Sequence, residues 1–133
     1  ANAFVLEDVW QAEGCNDRAQ LSDLRAELLS RICRTHQLAG VSIVDPRTTS
    51  IDVQVQLGRD SIVEPFTVLA GQTVVEEGAC VGSGSTVINS RIGCGAVLQN
   101  VYVQDSVVDH GVVLEPYVVL RSAQIAASEG NAS

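Results

Sequence analysis

From Ile51 to Arg121 an aliphatic residue returns about every six positions, and no other feature narrows the possible folds as much. Ile51, Leu57, Val63, Leu69, Val75, Val81 and Val87 stand six apart, and Ile92, Leu98, Val103, Val108, Leu114 and Leu120 follow at steps of five or six. Small or polar residues come directly after many of them: Asp52, Gly58, Glu64, Ala70, Glu76, Gly82, Gly93, Asp109 and Glu115. Two places before the aliphatic the side chain is again small, as at Ser61, Thr67, Thr73, Ala79, Ser85 and Ala96. Antiparallel strands with turns would alternate with period two between irregularly spaced turn signals. A hexapeptide period is instead the mark of a parallel β-helix, one short strand and one corner per unit. Its narrow interior takes one branched aliphatic per strand and has room only for Ser, Thr or Ala beside the corner. Each buried aliphatic contributes about 1.5–3 kcal/mol, so the stacked column offsets the ordering of the coil. The expectation is a mainly β protein, a parallel β-helix of roughly four coils.

The pattern changes upstream. Leu21, Leu24, Leu28 and Ile32 follow the three-and-four spacing of one apolar helical stripe. Asn16 or Asp17 can cap its first turn, Arg31, Arg34 and His36 suit its C-terminal end, and Gly40 is a plausible stop. Arg18, Asp23, Arg25 and Glu27 then face water. One long α-helix over 17–40 should therefore precede the β-helix. Asp45-Pro46 reads as a turn within a linker at 41–50, and Asn89-Ser90 and Asn100 fall where the repeat shortens, so tighter corners are expected there. After Ile125 the pattern ends, and 126–133 read as a disordered tail. At the other end Ala3 to Trp10 could form an edge strand, and the opening without Met fits a piece of something longer.

A net charge of −8 argues against nucleic acid or an anionic membrane surface as partner. No apolar run approaches the roughly 18 residues of a membrane span, so a soluble, cytoplasmic protein is expected. Cys15, Cys33, Cys80 and Cys94 match no zinc spacing and read as reduced thiols. His36 and His110 are the only histidines, too few for a three-histidine metal centre of the γ-carbonic anhydrase kind.

Several segments resemble one family. Gly14-Cys15-Asn16-Asp17-Arg18-Ala19-Gln20-Leu21 resembles the Gly-Val-Asn-(Asp/Asn)-Arg-x-Gln-Leu motif of the bifunctional N-acetylglucosamine-1-phosphate uridyltransferase / glucosamine-1-phosphate acetyltransferase. Leu38-Ala39-Gly40-Val41-Ser42-Ile43-Val44-Asp45-Pro46 is similar to its connector, and Glu115-Pro116-Tyr117-Val118-Val119-Leu120-Arg121 to its Gly-Pro-(Phe/Tyr)-x-x-Leu-Arg-Pro stretch. The resemblance implies a left-handed coil, and a trimer formed through the β-helix. It also implies that 1–16 are a remnant of the uridyltransferase domain, 17–40 the connecting helix and 51–125 the first coils of the acetyltransferase. Asn16 stands at the family's Mg²⁺-holding asparagine, but its aspartate partner belongs to a domain outside this sequence, and a hard ion needs several oxygens. A helix cap is then the better reading of Asn16. Arg121 stands at the family's arginine for substrate phosphate, a task that suits a guanidinium fork. Ser122 replaces the usual proline, the family's catalytic histidine has no counterpart, and His110 reads as a solvated corner residue. Mg²⁺ and acetyl-CoA are implied for the full-length family, and no cofactor for this chain. The functional expectation is a non-catalytic piece of that enzyme. The alternative is a self-standing trimeric β-helix that serves assembly or binding.

Overall fold

The structure is a computed structural model that describes residues 17–127. It opens with α1 (Arg18–Leu38), whose first turn is capped by Asp17: its Oδ1 accepts the Gln20 N–H at 2.8 Å. The helix stops at Ala39, and Gly40, at φ +100°, turns the chain so that the Val41 N–H reaches the His36 carbonyl. Asn16, the other cap candidate, lies outside the described residues, as do 1–15 and 128–133.

Five triangular coils follow. The first holds β1 (Ser42–Ile43), β2 (Ser50–Ile51) and β3 (Gln56–Leu57), and the second β4 (Ile62–Val63), β5 (Val68–Ala70) and β6 (Val74–Val75). The third holds β7 (Cys80–Val81), β8 (Thr86–Ile88) and β9 (Arg91–Ile92). The fourth holds β10 (Val97–Leu98), β11 (Tyr102–Gln104) and β12 (Val107–Val108), and the last β13 (Val113–Leu114), β14 (Val119–Arg121) and β15 (Gln124–Ile125). Strands three apart pair in parallel, which gives three five-stranded sheets: A from β1, B from β2 and C from β3 onward.

The aliphatic ladder is the interior. Val63, Val81 and Leu98 stack in sheet A, Leu69, Val87 and Val103 in sheet B, and Val75, Ile92 and Val108 in sheet C, all buried. The small residues two places earlier are buried beside them, from Thr49 and Ser61 to Ser106. Among the described residues no buried side-chain polar atom lacks a partner.

The coil begins earlier than the repeat announces, since part of the stretch read as a linker forms β1 and Ile43 is already a buried rung paired with Val63. A single 3-10 turn at Pro46–Thr48 lies between Ile43 and Ile51. It sets those rungs eight apart, which hides the first coil from a six-residue count and makes five coils rather than about four. The upper end is closed by the helix. Leu29, Ile32 and the buried Cys33 pack on the core, so the seated face is rotated from the Leu21–Leu24–Leu28–Ile32 stripe toward Leu29 and Cys33. A solenoid needs such a cap, because its end coil cannot bury its own rungs.

The short units are solved by a column of hydroxyls. In most six-residue units the N–H of the inward residue bonds the carbonyl three places back, as Ala79 does to Glu76 and Ala96 to Gly93. A five-residue unit takes its corner with one left-handed residue, Asn89, Asn100, Asp105 or Ser122. There the N–H bonds a hydroxyl in the coil above: Ser90 to Thr73 Oγ1, Val101 to Ser85 Oγ, Ser106 to Ser90 Oγ and Ala123 to Ser106 Oγ. Ser90 and Ser106 each also donate to a carbonyl, so both hydroxyls accept and donate at once. These hydroxyls therefore act as hydrogen-bonding groups as well as small side chains.

Candidate functional site

Successive coils place every residue of one register in a column, so side chains far apart in sequence share a face. On the outer side of sheet B, Tyr102 and Gln104 project from β11, and Gln104 is the register partner of Arg121 at the end of β14. The Arg121 guanidinium lies over the Tyr102 ring, 5.1 Å from its centroid. The ring is fixed at its far end, where Tyr102 Oη donates to Gln104 Oε1 at 2.9 Å. Gln104 Nε2 in turn points to Asp105 Oδ2 at 3.4 Å. Arg121 is exposed and makes no ion pair among the described residues, so its in-plane donors are open to an anion. Tyr102 carries no motif, yet the period reveals it: it precedes the rung Val103 as Arg121 follows the rung Leu120, one coil apart on one face.

The edge between sheets A and B holds a second feature. Glu64-Pro65-Phe66 and Glu115-Pro116-Tyr117 turn this edge in the second and fifth coils, with Phe66 at φ +62° and Tyr117 at φ +75°. A left-handed aromatic costs about 1–3 kcal/mol, and at these turns each ring stands outward: Phe66 is 67% exposed and Tyr117 82%. Ile62 and Val113 on sheet A and Val68 and Val119 on sheet B flank them as further exposed apolar residues.

His110 stands at a different edge, after β12 in sheet C, so the fold does not bring it to Arg121. Its Nδ1 and its backbone N–H both lie on Asp109 Oδ1, while Asp109 Oδ2 accepts the Ala127 N–H at 3.1 Å. The Ala127 N–H, then the His110 N–H and ring, hold the Asp109 carboxyl below the usual carboxylate range. A lowered folded value means the contribution is present above the unfolded value and lost as pH falls through the folded one. In an acid titration by NMR, the Ala127 amide should therefore shift with a midpoint below that of an ordinary aspartate. A midpoint at the ordinary value would contradict the Asp109–Ala127 bond.

The thiols among the described residues are held toward their protonated form. Burial raises Cys33; burial and the Glu64 charge raise Cys80; a hydrogen bond from Cys94 to Glu76, then burial and the Glu76 and Glu77 charges, raises Cys94. Burial lowers His36, at the top of the prism. Among the described residues no three His, Cys, Asp or Glu side chains converge as metal donors, so these residues do not fit Mg²⁺. No described helix is long and apolar enough to cross a membrane.

The fold is that of solved hexapeptide proteins. Serine acetyltransferase isoform 3 from Entamoeba histolytica superposes with a TM-score of 0.54 over 77% of this chain and 40% of its own, at 13% identity. That likeness shows the fold alone, a left-handed parallel β-helix. No family model matches the chain. Sequence relatives are closer. The bifunctional protein GlmU of Kineococcus radiotolerans is 42% identical over 128 residues, 96% of this chain and 26% of that protein. GlmU of Micrococcus luteus is 39% identical over 93% of the chain and 25% of its own length, and GlmU of Mycobacterium leprae 35% identical over 97% and 26%. The chain thus spans about a quarter of the length of the curated relatives it matches. Its helix, its coils and its identity along nearly its whole length agree, and over the segment it covers the chain belongs to the family of GlmU bifunctional proteins.

Proposed function

We propose that this chain is the joint of a cytoplasmic enzyme of UDP-N-acetylglucosamine synthesis, with a structural part in its chemistry. The two activities of that enzyme would be acetyl transfer from acetyl-CoA to glucosamine-1-phosphate and uridyl transfer to N-acetylglucosamine-1-phosphate. The observation that carries the reading is the helix-capped prism, related to GlmU over 96% of its length in the first comparison. Within it, Arg121 is the one residue assigned to substrate, as a phosphate contact. By its motif, Asn16 resembles the Mg²⁺-holding asparagine of that family. No step through Mg²⁺ or acetyl-CoA is assigned to the residues described.

The prism is also the element that joins three copies. The outward apolar band along the edge between sheets A and B, with Phe66 and Tyr117 held in strained turns, supports this. Sedimentation equilibrium should give three times the chain mass, and Phe66→Gly should loosen association about ten-fold or more while relieving strain of about 1–3 kcal/mol and so leaving the fold intact. A well-folded monomer would remove the trimer. Assays of pyrophosphate and CoA release test the structural role separately, with no turnover expected from this chain; turnover would overturn it.

A further inference from the structure

We propose that Tyr102 is a positioning residue for Arg121, holding its guanidinium as a ready-made fork for a phosphate monoester. The proposal rests on the reading of Arg121 as the phosphate contact and adds the residue that sets its geometry. An exposed arginine samples many rotamers, and an anion that binds it must first restrict them. Here the restriction is already built. The guanidinium carbon sits 5.1 Å from the Tyr102 centroid, inside the reach of a cation–π contact of about 6 Å.

The platform is itself held. Tyr102 is half-buried on β11, and its hydroxyl is tied to Gln104, which reaches on to Asp105. Pairing of Gln104 with Arg121 and of Tyr102 with Val119 fixes the register that brings ring and guanidinium together. The contact is with the face of the ring, and no ion pair among the described residues takes the N–H donors of the guanidinium. Those in-plane donors match two oxygens of a phosphate, a geometry that lysine cannot offer. A phosphate monoester such as a sugar 1-phosphate is therefore the class of ligand that the arrangement takes.

The test uses the full chain and two probes, glucosamine-1-phosphate and inorganic phosphate, with Arg121 Nε–Hε followed by NMR. In the unaltered chain this signal should be moved by the ring current and should shift again on titration. Tyr102→Ala should return it to the position of a free arginine and weaken binding about two- to five-fold, the range an exposed cation–π contact supports. Tyr102→Phe keeps the ring face and should keep the signal and most of the affinity, which separates positioning from bulk packing. An unshifted Arg121 signal in the unaltered chain overturns the proposal. So does binding that Arg121→Ala abolishes and Tyr102→Ala leaves unchanged, and the phosphate role of Arg121 then survives. No binding by the unaltered chain, or equal binding by Arg121→Ala, removes that role and the proposal with it.

Discussion

Val81→Asp should abolish the cooperative melting of the β-helix. Val81 is fully buried in β7, the middle strand of sheet A, and its register partners inside the prism are Val63 and Leu98. A carboxylate there meets branched aliphatics above and below. Burying an unpaired carboxyl, charged or neutralised, costs several kcal/mol, a large share of the roughly 5–15 kcal/mol that holds a typical domain together. Each coil rests on its neighbours, so a break in the third coil separates the helix-capped upper part from the coils below. Val107→Asp is the matched control: the same substitution, but on the outer face of sheet C, 40% exposed and away from the apolar band, with an expected effect within about 0.5 kcal/mol. Thermal melts by circular dichroism compare the two. An unchanged curve for Val81→Asp would show that the inward register is wrong.

Gly82→Ala, like Gly58→Ala and Gly93→Ala, should be among the most damaging changes of a single methyl group. A Cβ at Gly82 would lie 2.5 Å from the backbone oxygen of Leu98, the atom that accepts the Gly82 N–H. Because the obstacle is main chain, no rotamer relieves it and the ladder must spread. Overpacking of this kind costs about 1–3 kcal/mol. Gly95 is glycine for a different reason: nothing lies within 4 Å of its would-be Cβ, but its φ is +69°. Gly95→Ala should therefore lose about 1–2 kcal/mol, and Gly95→Asn less, since asparagine tolerates that conformation. Urea midpoints at constant slope give the ranking. If Gly82→Ala were no worse than Gly95→Ala, the close approach of the third and fourth coils at this corner would be refuted.

Most of the prism was legible because its interior repeats one side-chain choice, and each rung from Ile51 to Leu120 faces inward as the period requires. What escaped were departures from the period. The 3-10 turn at Pro46–Thr48 pushed Ile43 out of phase, and the seating of Cys33 depends on where a helix meets a prism end. Neither is a local property. The left-handed sense came from resemblance and from a fold relative, since the ladder fits either hand. At the site, Arg121 was legible as part of a motif. Tyr102 belongs to no motif; the period places it on the same face, but only the register of the coils pairs it with a residue one coil away.

The hydroxyl column governs where such a chain can be shortened. A corner that loses one residue also loses the carbonyl its inward N–H would have used, and a bare buried N–H costs about 1–3 kcal/mol. The trim is tolerable only when the coil above already offers Ser or Thr at the same inward place. Beneath Thr73, Ser85, Ser90 and Ser106 the chain has made it. Beneath Ala79, which has no hydroxyl, the corner before Ala96 keeps its full length and its bond to Gly93. A deletion in this fold is licensed one turn in advance.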